Sequence, residues 1–395
     1  MKKRIGFRLF PRHSDPLLIM SCIILVIFGS FMIMSAEMGE SSADISIISN
    51  TILKQVIIIV IAILSLNIIM RLNWHKMSIE FLWALYVAFL IALFVPRLYA
   101  PVGGAYAWIR ISGFSIQPSE FAKVFVIYFG SRLLGKENDR NIMNHFQKYV
   151  MAVLIYFIVI VFVEKDFGSA FVLLLIAYII ALLPSNKELR KTQNIMIVLA
   201  IFGIIFAVTI LLIGTNILER FKDNYMVARF LASANPFEYQ YDAGYHLVMS
   251  LVSFATGGLF GVGYTNSIHK YMNFPNPSTD FILPVIIEEM GIVFGLVPIL
   301  IFYGLIIGCL VHHSKKSNIL ESKMVITGAY IYLVVHFIFN VGGVSGFIPL
   351  TGVPLLLISS GGSSLWAYFC AIGFVEYEII RYRKGLENEN NSREI

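Results

Sequence analysis

The chain alternates long apolar runs with short polar segments, and the runs set the architecture. Apolar windows recur near residues 17–36, 52–70, 79–96, 119–134, 149–163, 167–183, 194–213, 281–311, 324–341 and 362–380. A helix of about 18 or more residues crosses a hydrocarbon core roughly 30 Å thick. Lipid offers no partner to backbone N–H and C=O groups, so each run is expected to be an α-helix. The pattern predicts an all-α polytopic membrane protein with about ten transmembrane helices, forming one integral membrane domain over residues 1–395. The windows at 119–134, 149–163 and 167–183 are short and can be merged differently.

One long interruption, residues 214–280, separates the seventh window from the eighth. It opens with "ERFKDNYMVARFLASANPFEYQYDAG" and continues with "YHLVMSLVSFATGGLFGVG". The apolar part of the latter, Tyr245 to Ala255, is too short to cross and is expected to be a re-entrant or interfacial helix. Long loops of this kind are usually functional. No internal repeat of the transporter type is present.

With 58% hydrophobic and 14% charged residues, and a mean hydropathy of +0.78, a water-soluble globule is excluded. The net charge of +6 is distributed by topology. Lys and Arg concentrate in the leader (Lys2, Lys3, Arg4, Arg8, Arg12) and in "RLNWHK", "KENDRNIMNHFQK", "NKELRKTQ", "HHSKKSN" and "RYRKG". If the spans alternate simply, all these segments share one side. The positive-inside rule then places the leader (1–16), the tail (381–395) and so both termini in the cytoplasm. This distribution argues against a nucleic-acid partner. The first run is too long for a signal peptide, and "MSAEMGE" offers no cleavage site, so it reads as an uncleaved span. Cys22, Cys309 and Cys370 fall inside spans and suggest neither disulfides nor a metal site.

The polar motifs follow a parity. "SIQPSEFAK" opens the fourth run, "EKDFGSA" the sixth, "PSTDFILP" the eighth and "SSGGSS" the tenth. With the amino terminus inside, even-numbered helices begin on the outer face, so four helix starts are expected on one side. Helix starts carry unsatisfied N–H groups and partial positive charge, which suits anions. Pro118 fits a first helical turn, Thr279 can cap ahead of Asp280, and Gly361–Gly362–Ser363–Ser364 can expose successive N–H groups. Together they can hold a phosphate, although Ser-Gly turns also start helices that bind nothing.

Three carboxylates, Asp280, Glu288 and Glu289, head the eighth run. On a helix Asp280 stands roughly 12 Å from the glutamates along the axis, with Glu289 nearly opposite it, so the three cannot line one site. Deep carboxylates need a partner or a wet cavity. Asp280 reads as functional and Glu289 as structurally paired, while Glu288 stays open. Glu120 and Lys123, three apart, are neighbours on one face. Either they neutralise each other, or Lys123 meets a phosphate while Glu120 orients it or binds a metal. Lys165 and Asp166 read as a solvated pair in a short outer turn. "DFG" lacks every other kinase element, and "GGLFGVG" follows no strand, so it reads as a break in a re-entrant segment rather than a nucleotide loop. His246 and His269 stand in no metal motif and read as hydrogen-bonded side chains.

Several stretches jointly resemble one family, the SEDS glycosyltransferases (RodA, FtsW and SpoVE): "AWIRISGFSIQPSEFAK", "KDFGSA", "NPFEYQYDAGYHLVMSL", "GGLFGVG", "PSTDFILPVIIEEMG" and "FNVGGVSGFIPLTGVPLLLISSGGSSLWAYFCAIG". "NVGGVSGFIPLTGVPL" looks more like FtsW of Gram-positive bacteria than RodA. The resemblance implies a peptidoglycan glycosyltransferase that polymerises lipid II, the undecaprenyl-pyrophosphate-linked disaccharide-peptide, on the outer face of the cytoplasmic membrane during division or elongation. It makes Asp280 the catalytic aspartate and marks Trp108, Glu120, Lys123 and Asp166 as functional. As implied partners it brings a class B penicillin-binding protein (a transpeptidase) and other divisome or elongasome membrane proteins. The chain departs from the family pattern at Ala107 (usually Arg), Asn276 (usually Glu), His246 (usually Gln) and across Leu356–Gly361, including Ser360.

The chemistry needs a base for the acceptor hydroxyl and cationic or N–H groups for the departing pyrophosphate. Asp280 is the expected base, acting directly or through a divalent cation (Mg or Mn). Arg110, Lys123, Arg229 and the Gly361–Gly362–Ser363 turn are the expected substrate-binding groups, and no organic cofactor is expected. A lipid II flippase or other transporter, and a scaffold that only recruits a transpeptidase, are the alternative classes. A transporter should line a path from face to face, whereas these motifs cluster at outer helix starts.

Overall fold

The structure, a computed structural model, describes residues 10–11, 13–40, 45–111, 114–136, 139–213, 219, 225–242, 244–272, 274 and 276–393. The basic leader residues named above, and 214–218 and 220–224 of the long loop, lie outside the described residues.

Every apolar window falls on a helix. In chain order come α1 (Pro16–Glu40), α2 (Ile45–Arg71) and α3 (Ile79–Ala92), then a hairpin of β1 (Ile109–Ile111) and β2 (Phe114–Ile116). There follow α4 (Pro118–Leu134), α5 (Ile142–Val159, prolonged by a π turn Ile160–Glu164), α6 (Phe167–Leu182) and α7 (Arg190–Ile213). The long loop holds α8 (Tyr225–Ala234) and α9 (Tyr245–Gly257), the latter where a short non-crossing helix was expected. The chain then runs through α10 (Ile282–Gly291), a π turn (Ile292–Leu296), α11 (Val297–Lys316), α12 (Leu320–Val344) and α13 (Gly362–Arg393).

Six described segments are by themselves long and apolar enough to cross a membrane: Pro16–Gly39, Ser49–Arg71, Ile79–Leu98, Ile142–Glu164, Ile282–Lys316 and Leu320–Val344. Phe167–Leu182 is apolar but shorter. A helix wrapped by other helices need not be apolar outside, and α4 is the example. Fifteen of its residues are buried, including Glu120 and Lys123, with α6, α12 and α13 packed around it. Helix α2 lies along α13, α1 along α11 and α9 along α10. Inside lipid the hydrophobic effect does not drive helices together, so close packing and interhelical hydrogen bonds must do so. Tyr86 stacks on Tyr156 with centroids 4.7 Å apart, and Tyr156 Oη donates to the Tyr86 carbonyl at 2.9 Å. By contrast Leu199, Phe202, Ile204 and Phe206 of α7 are exposed, as lipid-facing residues are.

The glycine-rich stretch after α9 has a specific task. Gly291 takes φ +70°, breaking the ladder between α10 and α11. The loop repairs the break: Val262 N and Gly263 N donate to the Glu288 and Glu289 carbonyls, each at 2.9 Å, while Ile292 N and Val293 N donate to Gly258 O and Leu259 O, each at 3.0 Å. Backbone approaches backbone so closely that a Cβ on Gly261, itself at φ +77°, would stand 2.2 Å from the Glu289 carbonyl oxygen. Non-helical backbone at this depth is thus satisfied by protein.

Glu288 and Glu289 secure the same loop. Glu288 accepts from Ser267 Oγ at 2.6 Å, Ile268 N at 3.0 Å and His269 Nδ1 at 2.8 Å. Glu289 accepts from Lys270 Nζ at 2.7 Å and Ser35 Oγ at 2.6 Å. Both glutamates are therefore engaged within the protein, Glu289 in the pairing expected of it and Glu288 by the loop.

Three of the charged segments expected on one side, those carrying His75, His313 and Arg381–Arg383, meet one another and residues 13–15 at one end of the bundle. Arg132 lies 2.8 Å from His75 Nδ1 and 3.3 Å from Glu321. Arg381 lies 3.2 Å from Glu378. His313 Nε2 is 2.5 Å from Asp15 Oδ2, and Arg383 donates to the His13 and Ser14 carbonyls.

Candidate functional site

At the opposite end the starts of α4, α6 and α13 and the turn ahead of α10 meet through hydrogen bonds. Gln117, extended at φ −107°, stands at the N-cap position of α4 ahead of Pro118, its side chain turned away from the helix's own amides. Its Nε2 donates to Asp166 Oδ2 at 2.6 Å and to Ser169 Oγ at 3.0 Å. Asp166 in turn caps α6, with Oδ1 accepting from Ser169 N at 3.0 Å. Gln117 N donates to Ser363 Oγ at 2.9 Å, and Ser363 Oγ donates to the Ser115 carbonyl of β2, also at 2.9 Å. Ser360 N donates to the Ser278 carbonyl at 2.8 Å, which ties the approach to α13 to the turn that carries Asp280.

That turn is defined by its backbone. Asn276 takes φ +49°, and its carbonyl accepts from Thr279 N at 3.1 Å and Phe281 N at 3.4 Å. Asn340 of α12 holds the turn from below: Nδ2 donates to the Asp280 carbonyl at 2.8 Å and to Val353 O at 2.9 Å. The Asp280 side chain is half-buried and faces a cavity of about 80 Å³ lined by Arg229, His246, Asn276, Phe281, Leu350 and Gly352 as well as itself. Burial pushes its carboxyl up to about 6, with the Asp166 carboxylate adding to the rise and the Arg229 guanidinium opposing it. Arg229 is anchored by donation from Nη1 to the Leu350 carbonyl at 3.0 Å.

Glu120 and Lys123 form a sealed network one turn inside α4. Lys123 Nζ lies 2.6 Å from Glu120 Oε1 and 3.3 Å from His336 Nε2, and Tyr332 Oη donates to Glu120 Oε2 at 2.6 Å. Lys123 has no exposed surface, so the pair neutralises itself within the helix bundle. Trp108 is half-buried just before β1, and Arg110 is exposed on β1 opposite Ser115. Gly361 precedes α13; its carbonyl accepts from Leu365 N at 2.9 Å and Ser364 Oγ at 2.8 Å. Gly362 N donates to Ser360 O at 3.0 Å, so that amide is committed within the turn.

One sequence reading is corrected. Lys165 and Asp166 are not a pair: Lys165, left-handed at φ +56°, places Nζ 5.9 Å from the Tyr106 ring, while Asp166 is engaged by Gln117. Of His246, read as a hydrogen-bonded side chain, Nδ1 is buried with no partner among the described residues. Sequence reasoning also passed over Gln117, Asn340 and Glu164. The first two were visible as amides amid apolar residues at a helix start and within a helix. Glu164 is fully buried, and both carboxylate oxygens lack a hydrogen-bond partner among the described residues. Among the same residues no group of three or more His, Cys, Asp or Glu side chains can hold a metal ion.

Helices that cross a membrane, a carboxylate and a guanidinium sharing one cavity, and helix starts converging beside them define a polytopic membrane protein with a polar site at one end of its bundle. The chain belongs to the FtsW/RodA/SpoVE family, whose model, described as "Cell cycle protein", matches residues 15–384. It is 29% identical over 390 residues to the "Probable peptidoglycan glycosyltransferase FtsW" of Bacillus subtilis (strain 168), covering 97% of this chain and 94% of that protein. It is 26% identical to "Stage V sporulation protein E" of the same organism, covering 94% and 98%. Among solved structures it matches a chain from "Structural coordination of polymerization and crosslinking by a peptidoglycan synthase complex" with a TM-score of 0.72 and 21% identity over 94% of this chain and 98% of that one. At that identity the likeness shows the fold.

Proposed function

We propose that this protein is a peptidoglycan glycosyltransferase that polymerises lipid II on the outer face of the cytoplasmic membrane, with both termini in the cytoplasm. The observation that carries the reading is the half-buried Asp280 sharing a cavity with Arg229 where four helix starts meet, in a chain whose relatives over nearly its full length bear that activity in their names. Asp280 takes the proton from the acceptor sugar's 4-hydroxyl. The freed oxygen attacks the anomeric carbon of the donor sugar, the bond from that carbon to the diphosphate breaks, and the lipid diphosphate departs with the electron pair. Arg229 and the partial positive charge of the helix starts stabilise the leaving charge. One carboxylate acting directly gives inversion at the anomeric carbon. Gln117, Asp166 and Ser363 hold the helix starts in register, and the sealed Glu120–Lys123 pair supports them from within.

The described residues assemble no group of three or more metal-ligating side chains; a divalent cation carried by the substrate's diphosphate is the form of metal involvement proposed, and no step above is routed through it. A transpeptidase of the class B penicillin-binding type is the proposed partner, supported by the likeness to a chain from a complex that coordinates polymerisation with crosslinking. The polar groups gather at one end rather than lining a path between faces, which disfavours a flippase. The deciding test is polymerisation of lipid II by the purified protein. Wild type should yield glycan strands and Asp280→Asn none, with both proteins folded. A wild type that moves lipid II between leaflets without polymerising it would overturn the reading.

A further inference from the structure

Two cations close on one aromatic ring near the starts of α4 and α6. Arg97 lies in the turn Val95–Leu98, which ends the apolar segment Ile79–Leu98, and its guanidinium carbon stands 4.0 Å from the centroid of the Tyr106 ring. Lys165, in the turn between α5 and α6, sets Nζ 5.9 Å from the same centroid. The ring is fixed between them: Tyr106 N donates to the Glu164 carbonyl at 2.7 Å, and the turn of Arg97 packs against the π turn Ile160–Glu164. Both side chains are exposed, and neither head group has a hydrogen bond or ion pair among the described residues. The acids that flank Lys165 do not cover them, since Glu164 is fully buried and Asp166 is engaged by Gln117. Lys165 is also left-handed at φ +56°, a conformation unfavourable to a residue with a side chain. Two like charges are thus held together against their repulsion, with the face of one ring as their only attraction.

The charge asks for an anion, and the position decides which. Around the two cations the surface is apolar: Phe94 and Leu98 beside Arg97, and Phe162 and Phe167 beside Lys165, are exposed. Arg97 closes one membrane-crossing segment and Lys165 directly follows another, Ile142–Glu164. Cations and an amphipathic tyrosine at the ends of such segments lie at the depth of lipid headgroups, and the apolar side chains nearer the segments' middles lie against acyl chains. A guanidinium stacked on a ring keeps its N–H edge free for phosphate oxygens, and an ammonium adds a mobile point charge. Neither residue lines the cavity at Asp280, so the patch is a place apart from the one that takes the reacting sugars.

We propose that Arg97, Tyr106 and Lys165 form a binding site for an anionic glycerophospholipid of the outer leaflet, its phosphodiester between the two cations and its acyl chains along Phe94, Leu98 and Phe162. The phosphate supplies the counter-charge that no side chain supplies, and the lipid fills the seam between the turn of Arg97 and the π turn. The choice of leaflet rests on the cytoplasmic placement of both termini, while the site itself is independent of the chemistry at Asp280.

The test is lipid retention by the purified full-length protein. Wild type, Arg97→Gln, Lys165→Gln and the double variant are equilibrated in detergent with equal amounts of phosphatidylglycerol and phosphatidylcholine of the same acyl chains, and bound lipid is counted by native mass spectrometry. Wild type should retain phosphatidylglycerol in preference to phosphatidylcholine. Each single substitution should weaken that preference about fivefold, and the double variant should abolish it. Anionic lipid is also drawn to basic residues at the other end of the bundle, so a control removes the exposed pair Lys315 and Lys316 of α11 by Lys315→Gln and Lys316→Gln. That control should keep the wild-type preference. Single and double variants at Arg97 and Lys165 that stay within about twofold of wild type overturn the proposal, as does an equal loss in the control, which would mean general attraction to charge. If removing both charges prevents folding, the single variants are judged by the same criteria. A last arm adds undecaprenyl diphosphate in an amount equal to the phosphatidylglycerol. Phosphatidylglycerol should stay bound to wild type, and its displacement would give the patch to the reacting lipid and overturn the assignment to a phospholipid.

Discussion

Gln117 and Asp166, 49 residues apart, are joined by a 2.6 Å hydrogen bond from Nε2 to Oδ2. Through it the start of α4 is tied to the start of α6. Gln117→Leu removes the donor and leaves the Asp166 oxygen short of a partner, a loss of about 1–3 kcal/mol. The expected result is a lower melting midpoint and slower polymerisation, measured on the purified protein. Gln117→Glu should be worse, because it sets a second carboxylate against Asp166.

The pH dependence of Asp280 has a definite sign. Its carboxyl is raised from 3.8 to about 6, so the folded state disfavours the ionised form. The stability this group contributes is full below 3.8 and is lost as pH rises through about 6. Activity needs the carboxylate and therefore falls on acidification with a midpoint near 6 rather than near 4. Asp280→Asn should melt higher than wild type at neutral pH, and the advantage should shrink as pH drops from about 6 towards 3.8. Melting curves of both proteins across that window check the sign.

Lys270 and Glu289 are both fully buried and 2.7 Å apart. Lys270→Met strands a buried carboxylate and should cost about 3–5 kcal/mol, whereas adding Glu289→Leu should restore much of it. A double-mutant cycle on melting midpoints measures the coupling. Additive losses would mean the two residues act independently.

Glu164 is the counter-example, a buried acid with neither oxygen hydrogen-bonded among the described residues. Glu164→Leu removes the cost of burying an unpaired polar group and should stabilise the protein by about 1–3 kcal/mol. Thermal melts of the two proteins in the same detergent test this.

Arg229 is the cation that lines the cavity, and a diphosphate carries more negative charge than one guanidinium offsets. Chelation with EDTA should slow polymerisation by about tenfold or more, and added Mg or Mn should restore it. Full activity in EDTA would remove the cation from the reaction.

Much of the fold was legible because lipid permits so few solutions. The apolar windows had to be helices, and the parity of "SIQPSEFAK", "EKDFGSA", "PSTDFILP" and "SSGGSS" foretold that their starts would meet. Asp280 stood out as a carboxylate in apolar surroundings, and Glu120 and Lys123 as neighbours on one helix turn. What stayed hidden depends on tertiary approach. The Gln117–Asp166 bond needs α4 and α6 already packed side by side. His246 enters the cavity because α9 folds back along α10, which local periodicity does not reveal. The Lys165–Asp166 reading failed because a left-handed residue turned the lysine towards Tyr106.

The repair of the break at Gly291 also bears on how the protein is made. Residues 258–263 and 288–293 complete each other's main-chain pairing, so neither can rest alone in an oily environment. The two have to settle into the bilayer together, late in biogenesis. Until residues 288–293 have been made, the main chain of residues 258–263 lacks its partners, and the two stretches can be buried only as a pair.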